Sequence, residues 1–85
     1  MAEYIQRINK SQIRILECIT FLYENGGAET KYYIGFIDKI GTSCILSDLF
    51  RTKKEALYAL SDENYKTKVL VKQFDNGLKL YYPMD

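Results

Sequence analysis

Thr52-Lys53-Lys54-Glu55-Ala56-Leu57-Tyr58-Ala59-Leu60, followed by Lys68-Val69-Leu70-Val71-Lys72-Gln73-Phe74-Asp75-Asn76-Gly77-Leu78-Lys79-Leu80-Tyr81-Tyr82, carries the clearest local signals in this chain. Thr52 and Glu55 stand three apart in the S/T-x-x-E form of a capping box, in which the hydroxyl covers the Glu55 N–H and the carboxylate reaches back to Thr52. Leu57 and Leu60 follow at helical spacing, so a helix is expected over residues 53–63. Asn76-Gly77 supplies the two positive-φ residues of a type I′ turn, which predicts a tight antiparallel hairpin. A two-residue loop pairs Phe74 with Lys79 and Val71 with Tyr82. In that register Val69, Val71, Leu80 and Tyr82 share an apolar face for packing on helices. Lys72, Phe74, Lys79 and Tyr81 share the other, which points at solvent or a ligand.

Eighty-five residues make one domain with one small core. Its 47% apolar and 27% charged residues are ordinary globular composition. The net charge of +1 names no partner by itself. Its distribution says more: residues 1–50 carry five Lys/Arg against six Asp/Glu, residues 51–85 seven against five, so positive charge gathers with the helix start and the hairpin. No apolar run approaches the length that spans a bilayer, and no secretory leader is read, so a cytoplasmic chain with no membrane partner is expected. Cys18 and Cys44 form no C-x-x-C pair and fit reduced, buried thiols. Asn9-Lys10-Ser11 matches a glycosylation triplet by chance in such a setting.

Residues 1–10 are weakly patterned and are expected as an arm or a helix extension ahead of a domain over residues 11–85. Ser11 can cap a first helix whose stripe is Ile15, Leu16, Ile19, Leu22 and Tyr23, ended by Asn25-Gly26-Gly27. Tyr33, Ile34, Ile37 and Ile40 recur at helical spacing after Thr30, although Gly35 and the β-branched content equally allow a strand over residues 32–37. Ile45, Leu46, Leu49 and Phe50 form another helical face, which stops at Arg51 or runs on into the Thr52 helix.

The order helix, link, helix, helix, hairpin resembles the winged helix-turn-helix fold of MarR-, PadR- and ArsR-like regulators and of many small archaeal and viral regulators. The resemblance rests on Ile15-Leu16 through Leu22-Tyr23-Glu24-Asn25-Gly26-Gly27 as first helix, on Leu46-Ser47-Asp48-Leu49-Phe50-Arg51-Thr52-Lys53-Lys54-Glu55-Ala56-Leu57-Tyr58-Ala59-Leu60 as the helix-turn-helix, and on Val69 to Tyr82 as the wing. It implies an α+β fold: three or four helices, then a two-stranded antiparallel wing. The helix-turn-helix takes residues 43–63, with Arg51 and Thr52 where a turn glycine is usual, or residues 30–50 with Gly41-Thr42-Ser43 as the turn. What the resemblance implies for function is sequence-specific binding of double-stranded DNA and transcription regulation, commonly as a homodimer. Arg51 would read guanine from the start of the recognition helix, Lys53 and Lys54 would meet phosphates, and Ser43, Ser47, Thr52 and Tyr58 would hydrogen-bond nearby. Lys72, Gln73, Asn76 and Lys79 would serve at the wing tip. Tyr4, Ile5 and Ile8 are the expected dimer contact.

Enzymatic function is not expected. Without histidine there is no Ser-His or Cys-His nucleophile, no C-x-x-C or H-E-x-x-H holds zinc, and Gly26-Gly27 lacks a phosphate-loop context. Asp62-Glu63 reads as a helix-end polar pair. No cofactor or small-molecule substrate is implied, and RNA binding lacks the aromatic sheet motif it would need. The alternative to DNA binding is a protein-assembly module. The two differ in one observable: DNA binding needs Arg51, Lys53, Lys54, Lys72 and Lys79 on one continuous surface, whereas assembly leaves an apolar face exposed and scatters the lysines.

Overall fold

Strand-forming residues dominate the first half of the chain. Residues 13–22 hold three Ile, a Thr and a Phe, and residues 28–37 hold a Thr, two Tyr, two Ile and a Phe. Such β-branched and aromatic side chains crowd a helix and pack well on a pleated sheet. The computed structural model describes residues 1–22, 24 and 26–84. In chain order these form β1 (Ala2–Arg7), a 3₁₀ turn (Lys10–Gln12), β2 (Arg14–Leu22), β3 (Ala28–Ile37), β4 (Ser43–Ile45), α1 (Lys53–Ser61), β5 (Lys68–Gln73) and β6 (Lys79–Met84). The strands make two three-stranded antiparallel sheets, ordered β1-β5-β6 and β2-β3-β4.

The winged helix-turn-helix expectation is overturned. The expected first helix is β2, the residues 30–40 taken as a possible helix lie largely in β3, the helical face after Ser43 is β4 plus an irregular link, and the N-terminal arm is β1. Neither register of the helix-turn-helix exists, whereas the strand reading of residues 32–37 holds within β3. Tyr23 and Asn25, which belonged to the expected first helix and its cap, lie outside the described residues. The apolar spacing that looked helical arises because β2 carries apolar residues on both faces, so a 3.6-residue period can be picked out of a strand.

The one α-helix among the described residues forms where its cap predicts. Thr52 Oγ1 accepts from the Glu55 N–H at 3.2 Å as expected, whereas the Glu55 carboxylate accepts from the Arg51 N–H at 3.3 Å in place of the expected Thr52 N–H. At the other end Glu63 takes φ 55, and the N–H groups of Glu63 and Asn64 return to the carbonyls of Leu60 and Ala59 in a Schellman closure. The buried stripe is Ala56 and Ala59 with Leu60 beside them, not Leu57, which is half exposed. Small alanines let α1 lie close against β2 and β3.

The hairpin exists, but its register is one residue from the expected one. Phe74 pairs with Leu78 through a three-residue loop in which only Gly77 has positive φ (+88), and Asn76 instead accepts the Leu78 N–H on its side-chain oxygen at 3.0 Å. Val71 therefore faces Tyr81, and Leu70 faces Tyr82. A slip of one residue moves every β6 side chain to the opposite face. Tyr81 points into the core, and the expected core residues Leu80 and Tyr82 point out.

The core lies between the sheets and under α1: Ile8, Ile13, Ile34, Phe36, Cys44, Leu46, Ala59, Val69 and Val71, with Phe50, Leu60, Tyr65 and Tyr81 at its margin. Between Leu46 and Phe50 the β4 side of the second sheet bulges. Leu46 N–H reaches Ile34 O, Phe50 bridges Tyr32 in both directions, and the three intervening residues stand opposite Tyr33 alone. Ser47 Oγ fills the gap in the ladder by accepting the Ile34 N–H at 2.9 Å. No helix of the described residues is long and apolar enough to cross a membrane.

Candidate interaction surface

Strand pairing assigns the two faces of the β1-β5-β6 sheet. Ala2, Tyr4 and Gln6 lie in line with Gln73, Val71 and Val69 and with Lys79, Tyr81 and Pro83, and this face turns inward. The opposite face sets Ile5 beside Leu70 and Tyr82, Glu3 beside Lys72 and Leu80, and Arg7 beside Lys68 and Met84. Among the described elements none packs on it: α1 lies against β2 and β3, and β4 adjoins β6 from the inner side. Ile5 is 56% exposed, Tyr82 45% and Leu80 37%, with Leu70 and Met84 half-buried between them. This apolar centre has a rim of Arg7, Lys68 and Lys72 against a single Glu3. Lys72 Nζ sits 5.2 Å from the Tyr82 ring centroid and 3.9 Å from Glu3 Oε1, so the rim cation leans over the aromatic face.

The residues expected to face DNA are dispersed over this fold. Arg51, Thr52, Lys53 and Lys54 stand exposed at the start of α1, which belongs to the second sheet, and Tyr58 is 74% exposed on the same helix. Thr52 spends its hydroxyl as the cap. Ser43 opens β4, while Ser47 is committed to the bulge, accepting from Ile34 and donating to Asp48 O at 2.9 Å. Lys72 lies on the outer face of the first sheet, whereas Gln73 and Lys79 have inner-face parity. Asn76 is held in the hairpin turn. Of the expected dimer residues, Ile8 is 4% exposed in the core, Tyr4 has inner-face parity, and Ile5 alone projects outward.

A polar junction between the β3–β4 turn and β6 ties the two sheets. Asp38 closes the β3–β4 turn: its Oδ1 accepts the N–H groups of Ile40 at 3.1 Å and Thr42 at 2.8 Å, and its Oδ2 accepts the Tyr81 hydroxyl at 2.7 Å. Tyr81 also meets the Phe36 ring edge-on, centroids 4.8 Å apart at 78°. Burial works against the Asp38 charge, but the Tyr81 hydroxyl, the Thr42 and Ile40 N–H groups and the nearby Lys79 outweigh it, so its carboxyl titrates below the ordinary value. Tyr81 is pushed up, first by burial and then by the Asp38 carboxylate it donates to. Lys79, Gln6 and Gln12 join these two around a cleft of about 480 Å³.

The two shifts have opposite signs for stability. The Asp38 contribution is complete above the ordinary carboxyl value of 3.8 and is lost as pH falls below it, while the Tyr81 contribution is complete below 10.0 and is lost as pH rises beyond it. Tyr81→Phe is expected to cost about 1 kcal/mol at neutral pH for this partly exposed pair. It should also flatten both limbs of a stability-against-pH curve measured by urea unfolding. A curve with unchanged limbs would remove the junction from the account of stability.

Burial pushes the Cys44 thiol up to about 11, which keeps it neutral at physiological pH. Among the described residues no group of three His, Cys, Asp or Glu side chains could hold a metal ion. Two open clefts meet at Phe50 and Asn64: one of about 510 Å³ along the β4 bulge, lined by Ser47, Asp48 and Lys66, and one of about 570 Å³ against α1, lined by Lys54, Glu55 and Tyr58. No family model, no curated protein and no solved structure matches this chain.

Sequence reasoning did not find the Leu70, Leu80, Tyr82 and Met84 part of this face. The signal was present in β5, where Val69 and Val71 alternate with Leu70 and Lys72. Assigning β6 to the same two faces needed the loop length, which Asn76-Gly77 alone does not fix.

Proposed function

We propose that this protein is an assembly module of the cytoplasm that binds another protein through the outer face of its β1-β5-β6 sheet. The observation that carries the reading is the contiguous Ile5, Leu70, Leu80, Tyr82 and Met84 patch left bare among the described elements, while the cations divide between α1 and the two faces of the hairpin. Contiguous exposed apolar surface rimmed by polar groups is characteristic of protein contact sites. Arg7, Lys68 and Lys72 outnumber Glu3 on the rim, which favours an acidic, amphipathic partner segment. The DNA reading loses the helix-turn-helix that would have set α1 in a groove, since the residues before α1 form strands. The free thiols Cys18 and Cys44 accord with a reducing compartment.

A designed amphipathic peptide with Leu and Glu on alternate faces is the probe, followed by NMR alongside a random-sequence DNA duplex. The peptide is expected to shift the Ile5, Leu70 and Leu80 methyls and the Tyr82 ring, and Leu80→Glu should abolish the effect. Salt-sensitive shifts by the duplex at Arg51, Lys53 and Lys54, with none by the peptide, would overturn the assembly reading in favour of DNA.

A further inference from the structure

β1 is an edge strand. It pairs with β5 on one side, and among the described residues no strand occupies the other. Ile8 donates its N–H to Thr67 O at 2.8 Å, and the register Arg7↔Lys68 continues into that pair. In an antiparallel ladder, pairs that exchange hydrogen bonds alternate with pairs that do not. Gln6, Tyr4 and Ala2 share the orientation of Ile8 and turn their N–H and C=O groups to β5. Glu3, Ile5 and Arg7 turn theirs to the open edge. Neither a proline nor a bulge blunts that edge: β1 has no proline and its pairing with β5 runs without a register shift.

The side chains of the same three residues share the outer face of the sheet, and their order is self-complementary. If two copies of β1 meet antiparallel about a two-fold axis at Ile5, each Ile5 faces its counterpart, each Glu3 faces an Arg7, and each Arg7 faces a Glu3. All three pairs fall at positions whose backbone groups already point across the edge, so each exchanges two N–H···O bonds. Moving the axis to Glu3 or to Arg7 sets like charges opposite one another, and moving it by one residue, to Tyr4 or Gln6, keeps the backbone bonds but sets Ile5 opposite Glu3 or Arg7 and so loses the ion pairs. Arg7 has no ion-pair partner within the described chain, and Glu3 has only the 3.9 Å contact to Lys72 through Oε1. Ile5, 56% exposed, would be covered by its counterpart.

We propose that the chain forms a two-fold dimer by antiparallel β1–β1 pairing centred on Ile5, with reciprocal Glu3–Arg7 ion pairs between copies. The first sheet becomes a six-stranded sheet, and the Leu70, Leu80 and Tyr82 patches of the two copies lie on one continuous face. This inference stands on the free backbone edge and its charges, independently of what that face binds.

Sedimentation equilibrium of the full chain and of charge variants tests it. The natural chain is expected at twice the 9.9 kDa chain mass. Glu3→Arg and Arg7→Glu, each alone, place like charges across the axis and should give the monomer mass. The double variant Glu3→Arg/Arg7→Glu restores opposite pairs and should return the dimer, which separates loss of complementarity from loss of folding. A natural chain that stays at monomer mass overturns the proposal, as does a dimer insensitive to the single reversals or a double variant that remains monomeric. The readout is mass alone, so failure of the peptide to bind the outer face leaves this result distinguishable.

Discussion

Gly35→Ala is expected to destabilise the fold by about 3 kcal/mol or more, a fall in Tm of roughly 10 °C or beyond for a domain of this size. Gly35 lies in β3 opposite Ile45, and a Cβ built on it would stand 2.0 Å from the Cys44 carbonyl oxygen and 3.0 Å from the Tyr33 ring. The nearest atom is backbone, fixed by the β3–β4 ladder, so no side-chain rotation relieves the overlap. The strands must part there, and the Leu46–Ile34 bond and the bulge at Ser47 lie directly beside it. Gly41→Ala supplies the control. Gly41 has φ +90 with open space around the site, so its cost is the left-handed conformation alone, about 1–2 kcal/mol. Urea unfolding of both variants checks the difference. Equal losses would mean that the Cys44 carbonyl yields, and the close approach would not be what fixes glycine at position 35.

Leu46→Ala is expected to cost about 3 kcal/mol, whereas Leu80→Ala should change stability by no more than about 0.5 kcal/mol. Leu46 is 1% exposed within the core cluster, and its truncation leaves a cavity between the sheets. Leu80 stands 37% exposed on the outer face, where its side chain already meets water. The comparison reads the hairpin register directly, because the two-residue loop would have buried Leu80 opposite Gln73 and turned Tyr81 outward. A large loss at Leu80 would restore that register and remove the apolar patch on which the proposed partner site rests. Against a typical total of about 5–15 kcal/mol for a small domain, a 3 kcal/mol loss is read easily from the unfolding midpoint.

Legibility in this chain followed the range of the interactions. The Thr52 cap, α1 and a hairpin around Asn76-Gly77 were all readable, because each is decided within a few residues by backbone hydrogen bonds and turn geometry. Val69 and Val71 were readable as core for the same reason: alternation along one strand needs no partner. The helices expected over residues 11–25 and 43–51 were not there, since a strand apolar on both faces imitates helical periodicity and its preference is settled by pairing with distant segments. β1 illustrates this most plainly, as its partner β5 begins more than sixty residues later.

The candidate site divides in the same way. The sequence by itself determined the cap and start of α1 and the existence of the last hairpin, each set by chemistry local to its segment. Tertiary structure alone decided that α1 covers the second sheet, that Ser47 and Thr52 spend their hydroxyls on the backbone, and that the basic residues separate. It also decided the one-residue register of β5 with β6, and so that Leu80 and Tyr82 face outward while Tyr81 reaches Asp38. The physical reason is that the face a strand presents depends on which segments its backbone pairs with and what then covers it, and that long-range competition is not encoded in any one stretch of residues.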